Sequence, residues 1–329
     1  MKKSMLLLCL AAAAMTSCTN EETLEVTSSR AIGFWGSGIE NVTRADITST
    51  TFARFYVYGG YDANPIFNEQ EVNKNASNWE YSPLQYWVAN KTYNFGAYAP
   101  KAADGISPTW DYTTGLSLSV NSNMSNQNDL VYADATKKTG DESTLASEAA
   151  VSLNFTHLLS KLQFKFLKDQ TTLGGQKVEM SNFKVAAIIT EGSWIKGTQQ
   201  SASSTTDDYT DFDTAEEIVA TTGLLTENWY VIPQTPKAFA ITANVKVTDN
   251  ANTILKDGTI SATLPIDVIS EWEAQNQYLY TATINMSNID DPDHPDDEVV
   301  PIEFTGTADD WETPIIDDTF TDELITPEP

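Results

Sequence analysis

The sequence has only two cysteines, Cys9 and Cys18, and both lie close to its amino terminus. The long region that follows Cys18 therefore has no thiol, which excludes disulfides, cysteine-ligated metals and catalytic cysteines from it. Its stability must come from core packing alone. A chain of 329 residues is ample for that, and its length suggests two domains.

Histidine is equally scarce, since His157 and His294 are the only two. Neither belongs to a nucleophile-elbow, H-E-x-x-H, phosphate-loop or dinucleotide-binding motif. A pair of carboxylates can hydrolyse a glycoside, but with 46 acidic residues some pair comes within range by chance. We therefore predict that the protein is not an enzyme and binds no metal or cofactor, and that both histidines are structural or exposed.

Basic residues are few, with 19 Lys and Arg against 46 Asp and Glu and a net charge of −27. Such a surface repels nucleic-acid phosphates and anionic lipid headgroups, so neither is an expected partner. The simplest interpretation is that the acidity keeps an extracellular protein soluble.

The sequence has one markedly apolar run, at residues 5–14, which follows a basic start and leads through Thr16 and Ser17 into Cys18. A permanent membrane span needs about 20 apolar residues, so this run predicts a cleaved signal at residues 1–17. Cleavage before Cys18 would leave that cysteine to carry a diacylglycerol thioether, with an acyl chain on the new amino terminus. The alternative is a secretory peptide with an unmodified cysteine.

Apolar residues alternate with polar ones through most of the remaining chain, as in residues 55–58, 162–166 and 241–247. This period of two directs apolar side chains to one face of a β-strand. Further strands are predicted at residues 93–99, 150–155, 182–189, 229–234, 259–266, 278–286 and 301–306. Short polar connections and the lack of a long amphipathic helix predict an all-β protein built of antiparallel sandwiches.

Two stretches break the alternation. Residues 197–214 are polar and predict a long exposed loop, or local disorder. Residues 290–298 predict an acidic turn, with a calcium site as the alternative, although the spacing fits no EF-hand. A turn-rich break near residue 170 predicts the boundary between an N-terminal domain, 45–170, and a C-terminal domain, 171–329.

Three tryptophans, Trp79, Trp87 and Trp110, lie in or near predicted strands. Aromatic side chains at such positions stack on sugars in some binding proteins. More often they pack in the core or on a sheet face, which is the interpretation we favour here.

Several segments behind the lipid-attachment motif occur in a recognisable order: residues 78–87, 93–100, 129–134, 151–164 and 230–234. Together they resemble the fimbrillin family of Bacteroidales lipoproteins, particularly its Mfa-like branch. The resemblance implies two transthyretin-like β-sandwich domains in tandem, in a lipoprotein precursor exported to the surface of the cell outer membrane and assembled into a fimbria. The acidic pair after Cys18, at positions 21 and 22, is similar to the surface-export signal of such lipoproteins.

In stalk subunits of that family an arginine-specific protease removes an N-terminal segment that includes one strand. Here residues 31–40 resemble the removable strand, Arg44 matches the cleavage site, and Ala45 would begin the mature subunit. Cleavage at Arg30 would leave the strand attached, so that site is less favoured.

Removal of a strand exposes an apolar groove with unpaired backbone groups, and a strand from a neighbouring subunit can restore both. The candidate donor is the C-terminal segment, whose apolar anchors would be Phe304, Trp311, Ile315, Ile316 and Phe320. The alternative is a final strand at 301–306 followed by an acidic tail.

The leading hypothesis is a structural fimbrial subunit, processed after Arg44 and polymerised by donor-strand exchange. Its partners would be other fimbrial subunits, identical or related, and the outer membrane through the lipid on Cys18. The alternative is a tip or anchor adhesin, or a surface lipoprotein that binds a glycan or a host or bacterial surface protein. A surface hydrolase is the weakest of the three.

Overall fold

The computed structural model describes residues 30–37, 52–76, 78–101, 105–264 and 269–311. Within these ranges the chain is almost entirely β-structure, with one four-residue α-helix, α1 (Gln170–Leu173), so the all-β prediction is confirmed. The strands, in chain order, are β1 (Phe34–Ser37), β2 (Arg54–Tyr61), β3 (Asn64–Asn75), β4 (Asn78–Glu80), β5 (Thr92–Ala99), β6 (Ile106–Asp111), β7 (Gly115–Asn121), β8 (Val131–Lys138), β9 (Val151–Asn154), β10 (Thr156–His157), β11 (Ser160–Lys168), β12 (Lys177–Ile189), β13 (Glu191–Ile195), β14 (Thr198–Ala202), β15 (Thr206–Asp211), β16 (Glu216–Glu217), β17 (Leu224–Leu225), β18 (Trp229–Val231), β19 (Ala240–Thr248), β20 (Ile254–Thr263), β21 (Asn276–Ile284) and β22 (Phe304–Asp310).

The N-terminal half is built on a six-stranded antiparallel sheet with the order β10-β8-β5-β2-β3-β4. One face packs on β1 and β9, which form a separate two-stranded parallel sheet. The other face packs against the four-stranded sheet β14-β13-β7-β6. The six-stranded sheet is therefore the middle layer of three.

Strand β2 shows what this layering does to the alternation. Phe55 and Val57 lie in the core with β1, as the period of two predicts. Tyr56 and Tyr58, the residues between them, are also buried, because the four-stranded sheet covers the opposite face. Tyrosine combines an apolar ring with a polar hydroxyl group. The alternation of tyrosine with apolar residues therefore resembles that of a half-exposed strand, although both faces of β2 are covered.

The C-terminal half packs two further sheets around one core, with orders β17-β11-β21-β22 and β15-β12-β19-β20. Strands β11 and β21 run parallel, and most other pairs are antiparallel. The side chains of Leu162, Phe164 and Phe166 place β11 in this core, together with strands that follow residue 176. The domain boundary near residue 170 stays a prediction, as does the transthyretin-like strand order, and the packing of β11 favours a boundary ahead of Ser160.

Most of the predicted strands are confirmed with small shifts at their ends, but the exposed loop at residues 197–214 is wrong. That stretch holds β14 and β15. Both lie at the edges of their sheets, and nearly all of their side chains face outward, so the sequence is polar even though the backbone pairs. Residues 290–298 do form a turn, where Lys256 Nζ lies 2.5 Å from a carboxylate oxygen of Asp297.

Candidate functional site

The segment at residues 30–37, with strand β1 in its second half, is inserted between two other stretches of the N-terminal half. On one side the backbone N–H of Ile32 donates to Gln85 O (2.8 Å) and that of Trp87 donates to Arg30 O (3.1 Å), so this pairing is antiparallel. On the other side β1 runs parallel to β9, and the N–H of Val151 donates to Gly33 O (2.8 Å). The segment fills a slot with a backbone partner on both sides.

Two side chains of this segment point into the core. The Ile32 side chain is 1% exposed and that of Phe34 is 4% exposed, whereas Trp35, the next residue of β1, is 47% exposed. The ring of Phe34 meets four others edge-on, with centroid distances of 5.3 Å to Phe67, 5.6 Å to Tyr81, 5.8 Å to Phe95 and 6.1 Å to Phe55. Edge-to-face pairs at these distances are favourable beyond the area they bury.

Polar groups of the slot bind the backbone of the segment. The Tyr81 hydroxyl donates to Ile32 O (2.7 Å) and accepts from the N–H of Gln85 (3.2 Å). Burial raises the pKa of Tyr81 to about 12, so its hydroxyl stays protonated and remains a donor. Trp79 Nε1 donates to Gly36 O (3.3 Å). These side chains hold main-chain atoms and therefore do not depend on which residue occupies the position.

Two glycines of the segment lie against the walls. A Cβ added to Gly33 would lie 3.3 Å from the Cβ of Ala150, and one added to Gly36 would lie 3.1 Å from Cζ2 of Trp79. Both distances are shorter than ordinary contacts. The slot thus favours apolar residues at 32 and 34 and small residues at 33 and 36.

Of the five residues predicted as donor-strand anchors, two lie within the described structure and three lie outside it. Phe304 and Trp311 are buried in their own chain, and β22, which begins at Phe304 and ends just before Trp311, pairs antiparallel with β21. Ile315, Ile316 and Phe320 lie outside the described residues, as do Cys18, Arg44 and Ala45. Of the predicted removable strand, residues 31–37 are described and residues 38–40 are not.

Trp311 packs where the two halves of the chain meet. Its ring stacks on that of His157 at a centroid distance of 3.7 Å and on that of Tyr230 at 5.7 Å. His157 Nδ1 in turn lies 2.7 Å from Asp129 Oδ1, with both side chains buried. His157 therefore has a packing role, whereas His294 is more than half exposed beside Asp291.

The three tryptophans considered for sugar binding also pack against protein. Trp87 is buried, and its ring meets that of Tyr93 edge-on. The ring centroids of Trp79 and Phe55 are 4.9 Å apart, and the ring of Trp110 stacks on that of Tyr58. The described ranges contain no group of three or more His, Cys, Asp or Glu side chains arranged to hold a metal ion.

A family model described as fimbrillin-like matches residues 40–311, which is most of the sequence. The chain belongs to the fimbrillin-like family. The resemblance inferred from the motif order is thereby confirmed at the level of the family.

A solved structure with a TM-score above 0.5 shares the fold of this fimbrillin-like chain. A fimbrial protein from Bacteroides vulgatus ATCC 8482 is 16% identical and has a TM-score of 0.62, and the match covers 86% of this chain and 100% of the other. A candidate cell adhesion protein from Bacteroides uniformis ATCC 8492 is 17% identical with a TM-score of 0.49, over 86% and 99% of the two chains. At these identities the likeness concerns the fold alone. A search of curated proteins found no match.

No helix in the described part of this fimbrillin-like chain is long and apolar enough to cross a membrane.

The candidate functional site is the slot that holds residues 30–37. Sequence reasoning identified the strand that fills it, but missed its two backbone partners and the aromatic wall formed by Phe55, Phe67, Tyr81 and Phe95. Only the alternation of each segment by itself is visible in the sequence.

Proposed function

We propose that this chain is a structural subunit of a cell-surface fimbria, delivered to the outer membrane as a lipoprotein through Cys18 and processed after Arg44. Processing frees residues 18–44, and a strand from a neighbouring subunit then fills the slot. The observation that carries this proposal is the insertion of residues 30–37 between two backbone partners, with Ile32 and Phe34 completing a core built by the rest of the chain.

The energetics agree with strand replacement rather than simple strand loss. Full burial of an aliphatic or phenyl side chain is worth about 1.5–3 kcal/mol, and the slot buries one of each. An empty slot would also expose unpaired backbone groups on both sides. A replacement strand that supplies the same contacts regains these terms, which is the general logic of strand addition at a sheet edge.

Processing would also release the protein from its lipid. Cys18 precedes Arg44, so a cut after Arg44 removes the lipidated cysteine together with the strand. The lipid would then serve delivery to the membrane, and the mature subunit would be held through its neighbours.

The second candidate is a tip or anchor adhesin of the same fold. It is favoured by the burial of Phe304 and Trp311 within their own chain, because two of the five candidate donor anchors are then already packed. A lipid that is retained because Arg44 is not cut would hold such a subunit to the membrane.

The test is cleavage followed by strand exchange. The purified precursor is cut with an arginine-specific protease, and a fluorescent peptide with the sequence of residues 30–40 is added in excess. We expect the cut chain to take up the peptide and release its own segment, as measured by mass spectrometry and anisotropy, and the matched variant Arg44→Ala to do neither. A chain that is cut after Arg44 and never exchanges its strand would refute the proposal.

A further inference from the structure

The slot selects its occupant by side-chain spacing. In an extended strand, side chains two positions apart point to the same face. Ile32 and Phe34 both point inward and are almost fully buried. Any strand that replaces residues 30–37 at the same depth must therefore carry apolar residues at two positions separated by one residue.

The neighbouring positions add two further demands. A Cβ at position 33 would lie 3.3 Å from the Cβ of Ala150, and one at position 36 would lie 3.1 Å from the ring of Trp79. Each neighbour would have to move by a few tenths of an ångström, so small residues fit best at both positions. Position 35 makes the weakest demand, since the Trp35 side chain is about half exposed. The slot thus favours a strand with an aliphatic residue at position 32, a small residue at 33, an aromatic residue at 34, any residue at 35 and a small residue at 36.

Ile302 and Phe304 carry this spacing, but both are buried in the C-terminal core of their own chain. The tail beyond Trp311 does not carry it. Because Phe304 and Trp311 belong to their own core, a donor tail begins at residue 312. Its aliphatic and aromatic residues are Ile315, Ile316, Phe320, Leu324 and Ile325, and no two of them are two positions apart.

Half of the residues two positions from these five are charged. When Phe320 takes the place of Phe34, the place of Ile32 falls to Asp318 in one strand direction and to Asp322 in the other. The same exercise with the remaining four gives only carboxylates, prolines or threonines. A carboxylate buried among apolar side chains without a partner costs several kcal/mol.

The registers that place a threonine at an inward position are unfavourable at position 33. Thr313 pairs with Ile315 across Pro314, and Thr326 pairs with Leu324 across Ile325. Each therefore puts a proline or an isoleucine where Gly33 lies against Ala150. The proline registers fail there as well, since Pro314 pairs with Ile316 across Ile315 and Ile325 pairs with Pro327 across Thr326. No register of the tail therefore has apolar residues at both inward positions and a glycine-sized residue at position 33.

We infer that the slot accepts a strand from a different subunit, one that carries the pattern aliphatic–small–aromatic–any–small, and rejects the tail of another copy of this chain. The inference rests on the proposed function, because it supposes that residues 30–37 are removed. Processing after Arg44 also takes the matching sequence, Ile-Gly-Phe-Trp-Gly at 32–36, away from every mature copy. This subunit is thus joined at its slot to an unlike neighbour, as at the tip or the base of a fibre.

The test compares four peptides on the precursor cut after Arg44. They are the strand peptide 30–40, the wild-type tail 312–329, a tail with Asp318→Ile, Thr319→Gly and Asp322→Gly, and a matched tail with only Thr319→Gly and Asp322→Gly. The third peptide has the required pattern at residues 318–322, and the fourth differs from it only at the first inward position.

We expect the strand peptide and the triple-variant tail to bind, and the wild-type and double-variant tails to bind at least about 100-fold more weakly, as about 3 kcal/mol of lost affinity implies. Wild-type tail that binds as tightly as the strand peptide, or a cut chain that forms SDS-resistant ladders by itself, would overturn the inference and leave strand exchange intact. If no peptide exchanges, including the strand peptide, the proposed function fails and the inference fails with it.

Discussion

Replacement of Phe34 by alanine isolates the contribution of one side chain to the insertion of β1. Phe34 is 4% exposed and packs against four aromatic rings, so its truncation removes a buried ring and leaves a cavity. Truncations of this kind cost about 3–5 kcal/mol. Because β1 lies at one end of the described chain and pairs through few residues, we expect much of this cost to appear as local opening of the segment rather than as global unfolding.

Local opening is measurable by hydrogen exchange. The N–H of Val151 donates to Gly33 O and that of Trp87 donates to Arg30 O, so both amides report on the segment although neither belongs to it. At about 1.4 kcal/mol per tenfold change in the opening equilibrium, Phe34→Ala should speed exchange at both amides by about 100-fold or more. Amides of β19, in the other core, should be unchanged.

The matched control is Trp35→Ala on the same strand. It removes a larger ring, but one that is 47% exposed, so we expect exchange to rise by less than about tenfold. Equal acceleration by the two variants would show that strand propensity, and not the pocket of Phe34, holds the segment, and the reasoning would be refuted.

Three further predictions concern single contacts. Tyr81→Phe removes the hydroxyl that binds the backbone of the segment at Ile32 and of its partner at Gln85, and should cost about 1–2 kcal/mol in the opening free energy measured by hydrogen exchange. Trp311→Ala should lower the free energy of unfolding by about 3–5 kcal/mol in urea titrations, because its buried ring stacks where the two halves meet. Glu148→Gln should lower the thermal midpoint at pH 7 and should lower it less at pH 3. The backbone N–H of Gly140 and the ammonium of Lys137 hold the pKa of Glu148 below its usual value, so its contribution is present above about pH 4.3 and is lost as the pH falls through the lowered pKa.

Each of these predictions has its own control. Tyr86→Phe alters a tyrosine that is 42% exposed and should change the opening free energy by less than about 0.5 kcal/mol. Trp311→Phe keeps an aromatic ring and should recover part of the loss. The third prediction is contradicted if the thermal midpoints of wild type and Glu148→Gln differ equally at both pH values.

The sequence predicts strands well where one face of a sheet meets a core. The alternation in β11 and β19 follows from Leu162, Phe164 and Phe166 in one and from Ile241, Ala243 and Val245 in the other, all buried in the same cluster. The polar strands β14 and β15 were missed because they lie at sheet edges with most side chains in solvent. There the backbone hydrogen bonds stabilise the strand, and they leave no pattern in the side chains.

For the candidate site, the sequence pointed to residues 31–40 through a family resemblance and not through their chemistry. The partners of that segment are distant in the chain, at residues 85–87 and 151–154. Its parallel pairing with β9 joins residues more than a hundred positions apart, and no local pattern encodes such a register. The inward direction of Phe34 and the outward direction of Trp35 follow from the pleat once the register is known.

By itself the sequence determined the all-β class, the absence of thiol chemistry, the predicted address carried by Cys18 and the family. It also holds the spacing rule of the tail, since residues two positions apart share a face in any extended strand. Only the tertiary structure decided which residues a bound strand must present at each position. The slot around Ile32 and Phe34 is formed by side chains from distant strands, and its preference for apolar residues at two alternate positions exists only when those strands are packed together.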